Sequence, residues 1–245
     1  MTAYIQSVSM PRSGHHFLIK LLREYYNDKD RGIHRMSYCE FYNCCSTRPC
    51  RLWDTEENPC VDVLIQKSHD EYLRRADKHY EAPVKVSNTG KHIIQFRNPI
   101  HSTISDFRLE LERLHAGGEK ETDEITRSCD LTPENRWVHY AERQLDYRTR
   151  FLKKWVLENP FLDSEDYYLL NYETLLTKPL DTLREVLHFA KPDEQVSFSR
   201  VKAAFVTRPV KKMRNPMDFE FASTLGRLEL ICAEIWSECT EKLGC

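Results

Sequence analysis

Tyr4-Ile5-Gln6-Ser7-Val8-Ser9-Met10, followed by Pro11-Arg12-Ser13-Gly14-His15-His16, is the stretch that decides the fold of this chain. Its first part alternates partly and is rich in strand formers. After the turn, Phe17, Leu18, Leu21, Leu22 and Tyr25 recur at helical spacing. The sequence therefore predicts a strand, a tight turn and an amphipathic helix. Gly14 lets the backbone curve where a side chain would block close approach, and the next amides stand at a helix N-terminus with no intrahelical acceptor. Such donors suit a phosphate or sulfonate oxygen, and Arg12 adds a cation at the mouth. Pro11, Ser13 and Gly14 also make an ordinary strand-to-helix turn, so the stretch points to an anion only together with other residues. Two glycines with four residues between them, followed by Lys-Ser/Thr, are absent, which removes most support from a nucleotide kinase or ATPase.

Working outward, Val61–Gln66 reads as a second strand ending at Lys67-Ser68-His69-Asp70. The segment 27–60 before it lacks clean periodicity and reads as an irregular, Cys-rich insertion with one short helix. His92–Phe96 is a third strand, bounded by Asn88-Thr89-Gly90 and Arg97-Asn98-Pro99, where proline opposes further pairing. Ile104, Phe107, Leu111 and Leu114 mark the next helix, which Gly117-Gly118 stop. Residues 119–130 are polar and read as a solvated connector. Thr132-Pro133-Glu134 starts a long helix, with Thr132 as cap and Pro133 where no hydrogen bond is lost, ending at Asn159-Pro160. Asp166–Tyr172 is the fourth strand, Leu180, Leu183, Val186 and Leu187 mark a helix after it, and Phe221, Leu225, Leu228, Ile231, Ile235 and Trp236 supply a final helical stretch. Apolar strands alternating with helices predict an α/β fold: a single domain over residues 1–245 with a mostly parallel central sheet flanked by helices. Right-handed crossovers then bring the strand ends to one rim, where a ligand belongs.

The composition is that of an ordinary soluble chain: 245 residues, 40% hydrophobic, 30% charged and a formal charge of -2. That balance gives no reason to expect nucleic acid as partner. Local basicity at Lys67, Arg97 and Lys211-Lys212-Met213-Arg214 still suits a small polyanion. No run approaches the roughly 20 apolar residues needed to cross a bilayer, and no secretory leader is evident. The expected location is the cytoplasm, with a processed lumenal domain as the alternative. Nine cysteines include Cys39, Cys44, Cys45, Cys50 and Cys60 in one region. Paired ligands at zinc spacing are missing, so no metal is expected, while buried thiols and one or two disulfides both stay open.

Three further markers follow the first loop in order: Lys67-Ser68-His69 after a strand, Arg97-Asn98-Pro99 with Ser105 eight residues beyond Arg97, and Tyr172-Glu173-Thr174-Leu175-Leu176 followed by Pro179. This constellation, spread over residues 4–189, resembles the sulfotransferases that use 3'-phosphoadenosine 5'-phosphosulfate (PAPS). The resemblance implies a P-loop-like sulfotransferase fold and transfer of a sulfonate group to an acceptor hydroxyl, or an amine, with release of 3',5'-adenosine bisphosphate (PAP) and no required metal. It implies that Arg12, Ser13, Gly14, His15, His16 and Phe17 form the 5'-phosphosulfate loop. Here His15 and His16 replace frequent threonines, and Phe17 stands where related enzymes often place a tryptophan against adenine. Arg97 and Ser105 resemble the pair for the 3' phosphate, a bidentate fork and a hydroxyl on the following helix.

The same resemblance makes His69 the general base, Lys67 and Arg12 the catalytic cations, and Tyr172 a nucleotide or acceptor contact, with a packing role for Tyr172 equally open. Arg208, Lys211, Lys212 and Arg214 lack the ordered Arg-Lys-Gly triplet of many relatives, so no role carries over to them. The hydroxyl-bearing acceptor, a carbohydrate or small alcohol among the options, is expected to meet the Cys-rich insertion, residues 108–135 and the segment after Phe205. The fold class permits a homodimer. The competing readings are a noncatalytic adenosine-phosphate binding protein, which needs neither His69 nor Arg12, and a nucleotide kinase.

Overall fold

β1 (Ala3–Ser9), β2 (Met36–Glu40), β3 (Val63–Ser68), β4 (Lys91–Phe96) and β5 (Tyr167–Asn171) make one sheet in the order β2-β3-β1-β4-β5, with every pairing parallel. The computed structural model describes residues 3–28, 30–40, 61–70, 73, 84, 86, 90–118, 124–210 and 215–243. They belong to two compact units: one of Met1–Ser9, Ser13–Phe96 and Asn159–Lys212, the other of Met10–Arg12, Arg97–Glu158 and Met213–Cys245.

The first unit holds the sheet. β3 is buried at every position and β4 at all but Lys91, which explains why these strands read as apolar runs rather than strict alternations. Ile5, Ile65, Ile93 and Leu170 share a core with α1 (His15–Tyr26), α6 (Pro179–Ala190) and α7 (Phe198–Thr207). α1 and α6 contribute Leu18, Leu22, Leu183 and Val186, whose spacing marked these two helices as amphipathic, and α7, which the sequence reading missed, contributes Val201. From β1 the chain runs to β2 and β3 on one side and to β4 on the other, so the carboxyl end of β1 is the topological switch point. That is the end from which the Pro11–Gly14 turn departs.

The second unit is built on α2 (Pro99–His115) and α4 (Pro133–Leu152), with α3 (Glu124–Arg127), α8 (Leu225–Glu229) and α9 (Ala233–Lys242) around them. Both long helices start as their sequences dictate. The Asn98 side chain accepts from the His101 amide at 3.2 Å before Pro99, and Thr132 Oγ1 accepts from the Asn135 amide at 3.2 Å before Pro133. Phe107, Trp137, Tyr140 and Phe219 form the aromatic centre of this core, and the Trp137 indole donates to Thr224 Oγ1 at 2.9 Å.

Several expectations need correction. The strand expected at Val61–Gln66 is Val63–Ser68, because pairing to β1 continues through Ser7↔Lys67 and Val8↔Ser68. Tyr172 does not end a strand: Asn171 Oδ1 caps the Thr174 amide at 3.0 Å and Tyr172 opens α5 (Tyr172–Thr177). The described part of the 27–60 segment carries an edge strand, β2, and no helix. Thr126 of the polar connector is buried, within α3. The final helical stretch is broken, with short 3-10 turns before α8 and a break between α8 and α9. Cys39, Cys232 and Cys239 are buried free thiols and Cys129 is an exposed one. Cys44, Cys45, Cys50, Cys60, Cys245, Lys211, Lys212 and Arg214 lie outside the described residues. Among the described residues no helix is long and apolar enough to cross a membrane.

Candidate active site

In the first unit the turn into α1 is arranged around Gly14. Its φ of 81° lies in the left-handed region, and a Cβ placed there would overlap the Tyr172 ring. Tyr172 therefore packs on the loop backbone, which favours the packing role that the sequence left open. Gly14 is the N-cap of α1, which has no side-chain cap and no acidic residue in its first turn. The first amides of that helix, at His15 and His16, have no acceptor within it, so the positive end of the helix is uncompensated by its own residues. Ser13 is fully buried and its Oγ has no hydrogen-bond partner among the described residues. An orphaned buried hydroxyl beside an uncapped helix start fits an anionic group, and this is the fit that a phosphosulfate would need. The Ser13 carbonyl is tied back by Gln95 Nε2 at 2.7 Å, and the Gly14 carbonyl accepts from the Phe17 and Leu18 amides at 2.9 and 3.1 Å.

His15 is buried against Tyr38, with Nδ1 3.3 Å from Ser7 Oγ. Burial first, then the neighbouring Lys67, His69 and His16, holds its imidazole well below the ordinary histidine range, and only the Gln95 carboxamide acts the other way. His16 is exposed, 4.0 Å from Glu40. Phe17 packs with Phe205, ring centroids 6.3 Å apart.

The parallel register places His69 beside the end of β1. Its Nδ1 lies 2.6 Å from the Ser9 carbonyl oxygen and 3.2 Å from Ser9 Oγ. A carbonyl only accepts, so Nδ1 carries a proton, and in the neutral ring the lone pair then falls on Nε2, the tautomer that a proton acceptor requires. Asp70 turns the chain sharply after it, at φ 51°, with its carboxylate accepting from the Val84 amide at 3.2 Å. Lys67 is 6% exposed and its ammonium sits 3.3 Å from Glu40 Oε1, its cross-strand neighbour on β2. Burial pushes the Glu40 carboxyl up, but Lys67, the Tyr38 hydroxyl and His16 together bring it below the usual range. Arg208 is engaged elsewhere, 3.5 Å from Glu24.

In the second unit Arg12, Arg97 and Ser105 come together. Arg12 Nε donates to Ser105 Oγ at 3.2 Å, and Arg97 Nη1 donates to the Arg12 carbonyl at 3.1 Å. Arg12 itself holds φ 62°, an uncommon conformation for a residue with a side chain. Two guanidinium groups and a hydroxyl linked through Arg12 suit a phosphate, and Ser105 stands on the second turn of α2, eight residues beyond Arg97. Behind them lies a buried network that the sequence reading missed. Arg148 donates to Asp106 Oδ2 at 2.9 Å, to Gln144 Oε1 at 2.9 Å and to Ser102 Oγ at 2.9 Å, and Ser102 Oγ donates to the Pro11 carbonyl at 2.6 Å. Ser102 and Asp106, four apart and so on one face of α2, were its visible trace. Glu40 was missed because β2 lies in a segment without periodicity.

Among the described residues no three His, Cys, Asp or Glu side chains are grouped to hold a metal ion. A cleft of about 630 Å³ lined by Lys91, Asp166, Tyr168 and His188 opens at the amino-terminal edge of β4 and β5, the opposite end of the strands from His69.

No family model matches the chain, and no curated protein matches it in sequence. Solved structures do match in shape. A mouse sulfotransferase, SULT7A1, complexed with PAP, shares 14% identity over 97% of this chain and 84% of that one, with a TM-score of 0.56. The sulfotransferase domain of the Curacin biosynthetic pathway shares 14% identity over 96% of this chain and 98% of that one, with a TM-score of 0.42. The first of these shows the fold to be of the sulfotransferase type.

Proposed function

We propose that this protein transfers a sulfonate group from PAPS to a hydroxyl-bearing acceptor and releases PAP. The observation that carries the reading is the cluster of Arg12, Arg97 and Ser105, whose members lie up to 93 residues apart in sequence and are joined by hydrogen bonds. The proposal assigns the 3' phosphate to Arg97 and Ser105. It assigns the 5' end to Arg12, to Ser13 and to the backbone amides of Gly14, His15 and His16, with the Phe17 amide held by the Gly14 carbonyl and the Phe17 ring against adenine. The orphaned Ser13 hydroxyl, the uncapped α1 and the PAP in the mouse sulfotransferase support this assignment.

The donor supplies an already activated sulfonate, so little covalent chemistry is asked of the chain. His69 accepts the acceptor's proton on Nε2, since the Ser9 carbonyl holds the other proton on Nδ1. Lys67 and Arg12 stabilise negative charge as it develops. Glu40, 3.3 Å away, is the partner of the buried Lys67 ammonium. Tyr172 braces the loop through Gly14 and shapes the site without taking a proton.

Purified protein incubated with radiolabelled PAPS and a panel of sugars, alcohols and phenols tests this. Label should pass to at least one acceptor, and His69→Ala should lower the rate by about 10²-fold or more. Retained PAP without transfer to any acceptor would favour the noncatalytic binding protein. Unchanged transfer by His69→Ala would remove that residue from its role.

A further inference from the structure

We propose that Arg148, acting through the Ser102 hydroxyl, is a positioning residue that sets the backbone of the anion loop at Pro11-Arg12. The inference deepens the functional reading above and rests on it. Arg148 is wholly buried in α4 and has no contact of its own with the loop in the network just described. Its reach comes from the direction of a hydrogen bond. A guanidinium can only donate, so Ser102 Oγ must accept from Arg148 Nε, which leaves the single Ser102 proton for the Pro11 carbonyl. Arg148 therefore fixes a rotor that would otherwise turn freely. Asp106 and Gln144 in turn fix the plane of the guanidinium, through Nη2 and Nη1.

The consequence falls on the residue that needs it. Arg12 sits at φ 62°, in the left-handed region that disfavours a residue with a side chain. It is flanked by two held carbonyls, that of Pro11 by Ser102 and its own by Arg97. A trans peptide points its N–H opposite its C=O. Holding these two carbonyls therefore turns the amides of Arg12 and Ser13 to the other side of the chain, where successive amides make an anion-binding concavity. A buried ion pair alone is weak evidence of stabilisation, since apolar contacts often do as well. The rest of this helix pair is indeed joined by Ile100, Ile104, Phe107, Tyr140 and Leu145. What the polar network adds is a defined end point on the loop.

The test is amide hydrogen exchange of the ligand-free full chain, read on peptides covering residues 10–17. Ser102→Ala leaves the Arg148, Asp106 and Gln144 contacts in place and removes the link. Arg148→Lys keeps a cation beside Asp106 and releases the hydroxyl. Each should speed exchange at Arg12, Ser13 and Gly14 by about tenfold, the size of one net hydrogen bond, and the double variant should add nothing more. Peptides from the middle of α4 should be unchanged in Ser102→Ala, and the dissociation constant for PAP should rise by about tenfold. Wild-type exchange rates in the loop of Ser102→Ala would overturn the proposal, as would loosening shared equally by the whole second unit, or a loosened loop with unaltered affinity for PAP. If the wild-type protein fails to retain PAP, the functional reading falls, while the exchange measurements still decide whether Arg148 holds the loop.

Discussion

Replacing Gly14 by alanine should cost stability for two separable reasons. At φ 81° an alanine sits in the left-handed region, at about 1–2 kcal/mol. Its Cβ would also fall within the Tyr172 ring. That ring is not a loose end: Tyr172 opens α5 and packs against the core that contains Leu18, Leu175 and Leu183. Moving it is an overpacking event of about 1–3 kcal/mol. The sum is about 2–5 kcal/mol, against a whole-domain stability of about 5–15 kcal/mol. Urea unfolding of the wild type, Gly14→Ala, Tyr172→Ala and the double variant separates the two parts. With the ring gone, the alanine should cost only the backbone component, about 1–2 kcal/mol, so the cycle should show a coupling of about 1–3 kcal/mol. A Gly14→Ala cost within about 0.5 kcal/mol of zero, or the same cost in both backgrounds, would refute the packing of Tyr172 on the loop.

Two further outcomes follow from the buried titratable groups. His15 is held below its ordinary value of 6.5, chiefly by burial, so below that pH the unfolded chain binds a proton that the folded chain refuses. Stability should be unaffected by this group at higher pH and should fall as pH drops below about 6.5. His92 is displaced the same way by burial, so His15→Asn should flatten the acid limb in part, and an identical slope in variant and wild type would contradict the assignment. Burial pushes the Cys232 and Cys239 thiols up to about 11 and about 12. An alkylating reagent at about pH 8 should therefore label exposed Cys129 in the native protein and reach Cys232 and Cys239 only after urea is added, as read by peptide mapping.

The parts of the fold legible in sequence were those where local chemistry and tertiary context agree. β1 and α1 announced themselves by period, α2 by the spacing of Ile104, Phe107, Leu111 and Leu114, α4 by a Thr-Pro start, and β3 and β4 by apolar runs that burial on both faces requires. β2 was invisible because an edge strand of five residues, Met-Ser-Tyr-Cys-Glu, carries no usable alternation. Tyr172 was misread because an aromatic after Leu169-Leu170-Asn171 continues a strand pattern, and only the Asn171 cap turns it into a helix. Of the site, the motif residues are visible in the sequence, Ser105 eight beyond Arg97, but the contact of Ser105 with Arg12, 93 residues away, is not. The supporting groups Gln95, Ser102, Asp106 and Arg148 could not, because what they do depends on which backbone carbonyl each one meets. A left-handed Arg12 was likewise beyond reach, as nothing in Pro11-Arg12-Ser13 demands it without those partners.

The central claim is that the chain recognises a nucleotide by both of its ends. Calorimetric titration with PAP and with adenosine 5'-monophosphate, which lacks the 3' phosphate, tests it most directly. Wild-type protein should bind PAP at least about tenfold more tightly, and Arg97→Ala should erase most of that preference by removing one charge-assisted contact. Equal affinity for the two nucleotides, or a preference that survives Arg97→Ala intact, would contradict it.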